Sequence, residues 1–297
     1  MDPAVIVMER LPAGPSLAAL LLGDDNDAAG RGLVALARAL GRMHGATLGR
    51  ARRFELCRAR LSPNPGLRHA VVRRLPELLG RFSRSMAGVG IDPPPAVDDD
   101  LGRVRDAMFR PGPFLSVVHG DPCPDNNRVY GDRAVLLDFE GASIDHCLLD
   151  GAYFTVPFPT CWCVADVDAR AAQAAYREEL ARWLPDVADD GVWLPALAEA
   201  TACWFLLRTV TGLAPALQDD ELWGTATMAQ RLVHRSTVFA ALARRANVLP
   251  ALADVADQVV AVLGRRVPEL APIPAYPALA ASGQPAVARP DWWVPAP

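Results

Sequence analysis

The chain has 297 residues, of which 51% are apolar and 22% charged, and its 34 acidic side chains against 30 basic ones leave a net charge of −4. A chain of that length can bury a large core as one unit or two closely packed halves, and its slightly acidic balance lacks the basic excess of a nucleic-acid-binding surface, so no nucleic-acid partner is expected. No stretch reaches the ~18 consecutive apolar residues of a membrane span, and the first residues lack the basic start and apolar centre of a signal peptide, so neither membrane association nor export is expected and the protein reads as cytoplasmic.

The opening AVIVMERLP, residues 4–11 with Pro12, reads as a strand that leaves into a turn. Over residues 27–48, Leu33, Leu36, Ala37, Leu40 and Met43 recur at three- and four-residue spacing, with Asn26 or Asp27 as cap, which predicts an amphipathic helix. Further helices are predicted at 67–86 and, after the PPP break at 93–95, at 101–109.

The period then changes. Residues 114–118 and 134–139 are short apolar runs enclosing a polar loop and a YGD turn, a pattern of two strands presenting functional groups between them. Beyond Pro159, helical patterns at 166–183, 192–213, 221–245 and 249–265 predict a helical subdomain over 160–266. Residues 267–297 are rich in Pro and Ala, carry no period, and predict an extended tail that Trp292 and Trp293 could pin to the surface.

The enclosed loop is HGDPCPDN, His119 to Asn126, and twelve positions further on LLDFE carries Asp138. Transfer of a phosphoryl group needs a carboxylate that orients the attacking hydroxyl and oxygen ligands that hold magnesium against the phosphates. Asp121, Asn126 and Asp138 supply that set, with Asp121 and Asn126 on one loop and Asp138 at the end of the neighbouring strand.

Other polar residues nearby have ordinary readings. Asp125 fits a turn, Glu140 a supporting or solvated carboxylate, and Asp145 and His146 a solvated turn rather than a substrate contact. His44, His69 and His234 lie on helical patterns and read as packed or surface histidines. The six cysteines, Cys57, Cys123, Cys147, Cys161, Cys163 and Cys203, are scattered and read as free thiols; CWC at 161–163 lacks the paired spacing of a zinc site. Acidic clusters at 24–27, 98–100 and 219–221 suit a cationic substrate or, more ordinarily, helix caps and solvated loops.

HGDPCPDN with DFE resembles the aminoglycoside phosphotransferase and choline kinase family, whose catalytic loop is HGD-x4-N and whose metal-binding strand ends in DFE, DWE or DFG. The likeness continues through GASIDHCLLDGAY after the loop and LVALARALGRMHGAT before it. It implies an α+β, protein-kinase-like C-lobe, mainly helical, with a small strand cluster carrying the catalytic loop, over residues 1–266. By the same resemblance Asp121 is the catalytic base, Asn126 and Asp138 hold Mg2+, His119 and Gly120 shape the loop, and Asp150 braces it. VMERLP resembles the hinge between lobes, where backbone groups near Glu9 and Leu11 would meet the adenine of ATP.

The implied activity is ATP-dependent transfer of the terminal phosphoryl group to a hydroxyl of a small molecule. The family also carries a preceding lobe with a phosphate-binding lysine, whereas all 30 basic residues here are arginine and no lysine is present. The expectation is therefore that the native protein begins upstream of Met1. The alternative is a non-catalytic kinase-like binding module without the nucleotide-gripping lobe. A two-metal phosphoesterase would need a second cluster such as GNH or D-x-H, which the chain lacks.

Overall fold

The computed structural model describes residues 9–60, 68–156, 158–267, 269–281 and 286. Ten helices and three two-stranded antiparallel ladders are found among them.

A short α1 (Leu17–Leu21) leads into α2 (Asn26–Thr47), which Asp25 caps by accepting the Ala28 N–H at 2.9 Å. Leu33, Leu36, Ala37 and Leu40 form its buried stripe, as the spacing predicts. After α3 (Ala51–Ala59), α4 (Ala70–Ala87) buries Val71, Leu75, Leu78, Phe82 and Met86 at three- and four-residue steps. The short α5 (Val97–Phe109) completes the N-terminal helical layer.

Two ladders follow. β1 (Leu115–Val118) pairs with β4 (Ser143–His146) in the register Leu115 to His146 and Val118 to Ser143. Between them β2 (Asn127–Tyr130) and β3 (Arg133–Leu136) form a hairpin whose turn uses Gly131 at φ +62. The HGDPCPDN loop thus bridges one ladder to the other.

The rest is helical: α6 (Leu148–Gly151), α7 (Arg170–Ala181), α8 (Asp190–Gln218), α9 (Met228–Arg245) and α10 (Pro250–Arg266), with a small hairpin of β5 (Leu222–Trp223) and β6 (Ala226–Thr227) before α9. α7 packs on α2, α8 on α4, α5 and α9, and α10 on α9. α8 has 29 residues and is apolar enough by composition to cross a membrane, yet 72% of its most apolar window is buried against the rest of the protein, as befits a central core helix.

Several expectations change. Residues 221–227 form a hairpin rather than the first turns of a helix, because Gly224 takes φ +65 and Thr227, with Gln230, builds a capping box that starts α9 there. β3 stops at Leu136, not 139, since Asp138 turns into the left-handed region. α1, α3, β2, β4 and α6 are additional elements. Glu9 to Leu11 are not in a regular strand, and residues 4–8 of the expected hinge strand lie outside the described residues.

The start of the expected tail is docked rather than free: Asp166 N donates to Pro274 O at 2.8 Å, and buried Tyr276 donates its hydroxyl to Cys163 O at 2.9 Å. Trp292 and Trp293 lie outside the described residues. The thiols also differ from expectation, because Cys123 and Cys161 form a disulfide across 38 positions with Cα atoms 5.8 Å apart, while Cys57, Cys147, Cys163 and Cys203 are free.

The acidic clusters serve helix N-termini. Asp98, Asp99 and Asp100 occupy the first turn of α5, and Asp100 also accepts the Leu252 N–H at 2.9 Å near the start of α10. Asp220 accepts from Ala229 N at 2.7 Å at the start of α9. These roles account for Asp25, Asp100 and Asp220 without a cationic substrate.

Candidate active site

Asp150, on α6 and fully buried, is the anchor of the loop that begins at His119. Its Oδ2 accepts the His119 N–H at 2.6 Å, its Oδ1 the Gly120 N–H at 3.3 Å, and His44 Nε2 lies 3.1 Å from Oδ2. His44 Nδ1 in turn sits 2.7 Å from the Tyr176 hydroxyl. Burial pushes the Asp150 carboxyl up, but the His44 hydrogen bond and the positive fields of His44, His69 and His119 outweigh it and hold the group below the usual carboxylate value.

Two histidines fix the rest of the loop. His119 donates from Nε2 to Leu137 O at 2.7 Å, leaving Nδ1 to face the Asp121 N–H at 3.4 Å. His69 donates from Nε2 to Gly120 O at 3.0 Å while its Nδ1 accepts from Val71 N at 3.2 Å, so it caps α4 and holds the loop at once. Asp145 is fully buried, accepting from the Arg68 side chain and the His69 N–H. It therefore supports the His69 arm and does not sit in a solvated turn.

Gly120 makes the close approach possible. It lies at φ +88, and a Cβ there would stand 2.3 Å from Gly141 O, three residues beyond Asp138. Gly120→Ala is expected to cost roughly 2–4 kcal/mol through steric overlap and left-handed strain. Thermal unfolding of the variant checks this, and an unchanged midpoint would mean that the loop tolerates separation from residue 141.

These contacts bring the three sequence-predicted groups together. Asn126 O accepts the Leu137 N–H at 3.0 Å, which places Asn126 beside Asp138. Asn126 Nδ2 donates to Asp121 O at 2.9 Å and faces Asp121 Oδ2 at 3.4 Å, so its amide oxygen stays available to a further partner. Asp138 adopts φ 62 and ψ 60, a conformation that Asp tolerates better than most residues but that still costs about 1 kcal/mol or more.

Glu140 is exposed, and its carboxyl is raised by a hydrogen bond to Asp138 and by the charges of Asp138 and Asp121. Hard oxygen donors gathered with mutually repelling negative charge suit Mg2+. A different cluster, Asp121 with Cys123 and Cys161, has ligand atoms within 4.8 Å of one another, but the two sulfurs are joined and provide no thiolate.

On its other flank Asp121 meets residues that sequence reading missed. Thr160 donates its hydroxyl to Asp121 Oδ1 at 2.6 Å and lies 2.8 Å from the Tyr153 hydroxyl, and the Cys123 sulfur is 3.1 Å from the same Oδ1. Burial, then the Asp121 charge, pushes Tyr153 well above its ordinary value, so it stays a neutral hydroxyl. His44 carried a legible signal, since it continues the Leu36 and Leu40 stripe at four-residue spacing on a buried face. Thr160 carried none.

Glu9 and Leu11 line a separate cavity of about 510 Å³ together with Pro12, Arg128, Val135 and Leu137. It opens beside the strand that leads to Asp138. Its size falls within the usual range for small-molecule sites.

No curated protein matches the chain with significance. The family model for the phosphotransferase enzyme family matches residues 3–189, which span α1 to the start of α8 and include the whole HGD loop, Asp138 and Asp150. With a kinase-like fold implied by that match and the loop residues in their places, the chain belongs to the phosphotransferase enzyme family.

Proposed function

We propose that the chain is an ATP- and Mg2+-dependent phosphotransferase that moves the terminal phosphoryl group to a hydroxyl of a small molecule. The described residues then correspond to a kinase-like C-lobe. The observation that carries this reading is the convergence of Asp121, Asn126 and Asp138, held in register by the Asn126 O to Leu137 N and His119 Nε2 to Leu137 O bonds.

In this reading Asp121 orients the attacking hydroxyl and accepts its proton, and no raised pKa is needed in a loose transition state. Asn126 and Asp138, with Glu140 alongside, would hold the metal, which when bound neutralises charge on the transferring phosphates. The cavity between Glu9 to Ala13 and β3 takes the adenine, and Arg128 on its wall offers a cation where no lysine exists.

Titration calorimetry with ATP in the presence and absence of Mg2+ tests the proposal. Saturable binding that requires Mg2+ and is lost in Asp138→Ala is the expected result. Nucleotide binding indifferent to Mg2+, or none, would favour a second reading, a binding module without transfer chemistry, for which the absence of lysine speaks.

A further inference from the structure

Three arginines gather on the Thr160 side of Asp121. Arg231 and Arg235 lie one turn apart on α9, and Arg208 lies on α8, which packs against it. Arg231 is fully buried and spends four of its five donors on carbonyls, with Nε on Ala226 O and its terminal nitrogens on Cys161 O, Trp162 O and Trp223 O. Its task is to hold residues 161–162 and the β5–β6 hairpin in place.

The other two are paired far less fully. Arg235 is 3% exposed and spends one Nη on Pro159 O at 2.9 Å, next to Thr160, the residue hydrogen-bonded to Asp121. Its Nε is buried without a partner, and so is the Nε of Arg208. Among the described residues the only other buried side-chain polar atoms without a partner are the hydroxyls of Thr209 and Ser236, the chain neighbours of these two arginines.

No carboxylate ion-pairs with Arg208, Arg231 or Arg235 among the described residues; the acidic group whose field reaches Arg208 is Asp121 itself. Burial, then mutual repulsion, lowers the proton affinity of Arg235, and burial that of Arg208, with Arg74 on α4 adding a further positive charge to Arg208. A guanidinium whose Nε is buried without a partner is costly, and a planar fork with a free donor matches a carboxylate or phosphate.

We infer that Arg208 and Arg235 form an anion-binding subsite beside Asp121, so that the acceptor is a hydroxyl compound bearing a carboxylate or phosphate rather than a cationic one. This rests on the phosphotransferase reading for the word acceptor, while the subsite stands on its own contacts. The subsite is tied to the Oδ1 side of Asp121 through Pro159 and Thr160, whereas Asn126 faces Oδ2, and neither arginine lines the cavity formed by Glu9, Val135 and Leu137.

The test is titration calorimetry, without nucleotide, of four matched alcohols: glycerate and glycerol 2-phosphate as anions, glycerol as the neutral member and 2-amino-1,3-propanediol as the cation. Saturable binding of at least one anion, at least tenfold tighter than the neutral and cationic members and weakened by added salt, is expected. In Arg208→Gln that affinity falls about 10- to 100-fold, Arg208→Lys recovers part of it, and Mg-ATP affinity is unchanged.

Equal binding of all four, preference for the cation, no saturable anion binding, or an Arg208→Gln variant of intact fold that keeps wild-type anion affinity would each overturn the inference. Loss of Mg-ATP affinity in Arg208→Gln with glycerate binding intact would overturn it too, assigning the guanidinium to the phosphates of the nucleotide. If Mg2+-dependent ATP binding fails while the anion titration succeeds, the phosphotransferase reading falls and the subsite remains.

Discussion

Replacing Asp121 by Asn is expected to lower kcat for phosphoryl transfer by about 10³-fold while leaving Mg-ATP affinity within a few-fold of wild type. The isosteric amide keeps the loop volume and can still meet the Thr160 hydroxyl, now 2.6 Å from Oδ1, but it carries no charge and cannot accept the acceptor's proton. General-base contributions of this kind run from about 10² to 10⁴. Separation of kcat from nucleotide affinity matters, because a purely structural role would disturb both. Turnover within tenfold of wild type in this variant would remove Asp121 from the chemistry.

The second large effect belongs to Asp150. Asp150→Ala leaves the His119 and Gly120 amides and the His44 ring without their acceptor in a fully buried place, and should lower stability by about 3–5 kcal/mol. For a chain of this size that corresponds to a fall in Tm of roughly 5–8 °C, readable by calorimetry at neutral pH. Its folded carboxyl titrates below the ordinary aspartate range, so its stabilisation is complete above that range and is lost as the pH falls through the lower folded value. The gap between wild type and Asp150→Ala should therefore narrow in acid, and a gap constant from pH 7 to 3 would contradict the charged-anchor account.

The sequence made the loop legible because its chemistry is local. His119, Gly120, Asp121 and Asn126 fall within eight positions, and Asp138 follows on the next strand, so a local motif and its family resemblance suggested the set that the hydrogen bonds bring together. The long helices were legible for a similar reason, since stripes such as Leu33, Leu36 and Leu40 repeat at helical spacing and are buried as that spacing requires. Elements defined by turn geometry were harder: the β5–β6 hairpin hides inside a helical pattern, and its boundary depends on Gly224 and a two-residue capping box.

What surrounds Asp121 was not legible, because it comes from distant segments. Thr160 reaches Asp121 over 39 positions, and the disulfide joins Cys123 to a cysteine 38 positions on, where scattered spacing gave no pairing rule. Arg208 and Arg235 look in sequence like any of the other arginines. Only the buried Nε that each leaves without a partner distinguishes them.

The anchoring of the loop also bears on how the chain reaches its native state. Asp150 gathers groups 30, 31 and 106 positions away, so its full set of contacts is complete only when α2, the first ladder and α6 have all been brought together. The entropy of closing those loops is spent first and the hydrogen bonds are made last. A helical intermediate with α2 docked only on α7 would already have much of its secondary structure yet lack a positioned Asp121, so recovery of activity on refolding should lag recovery of helix.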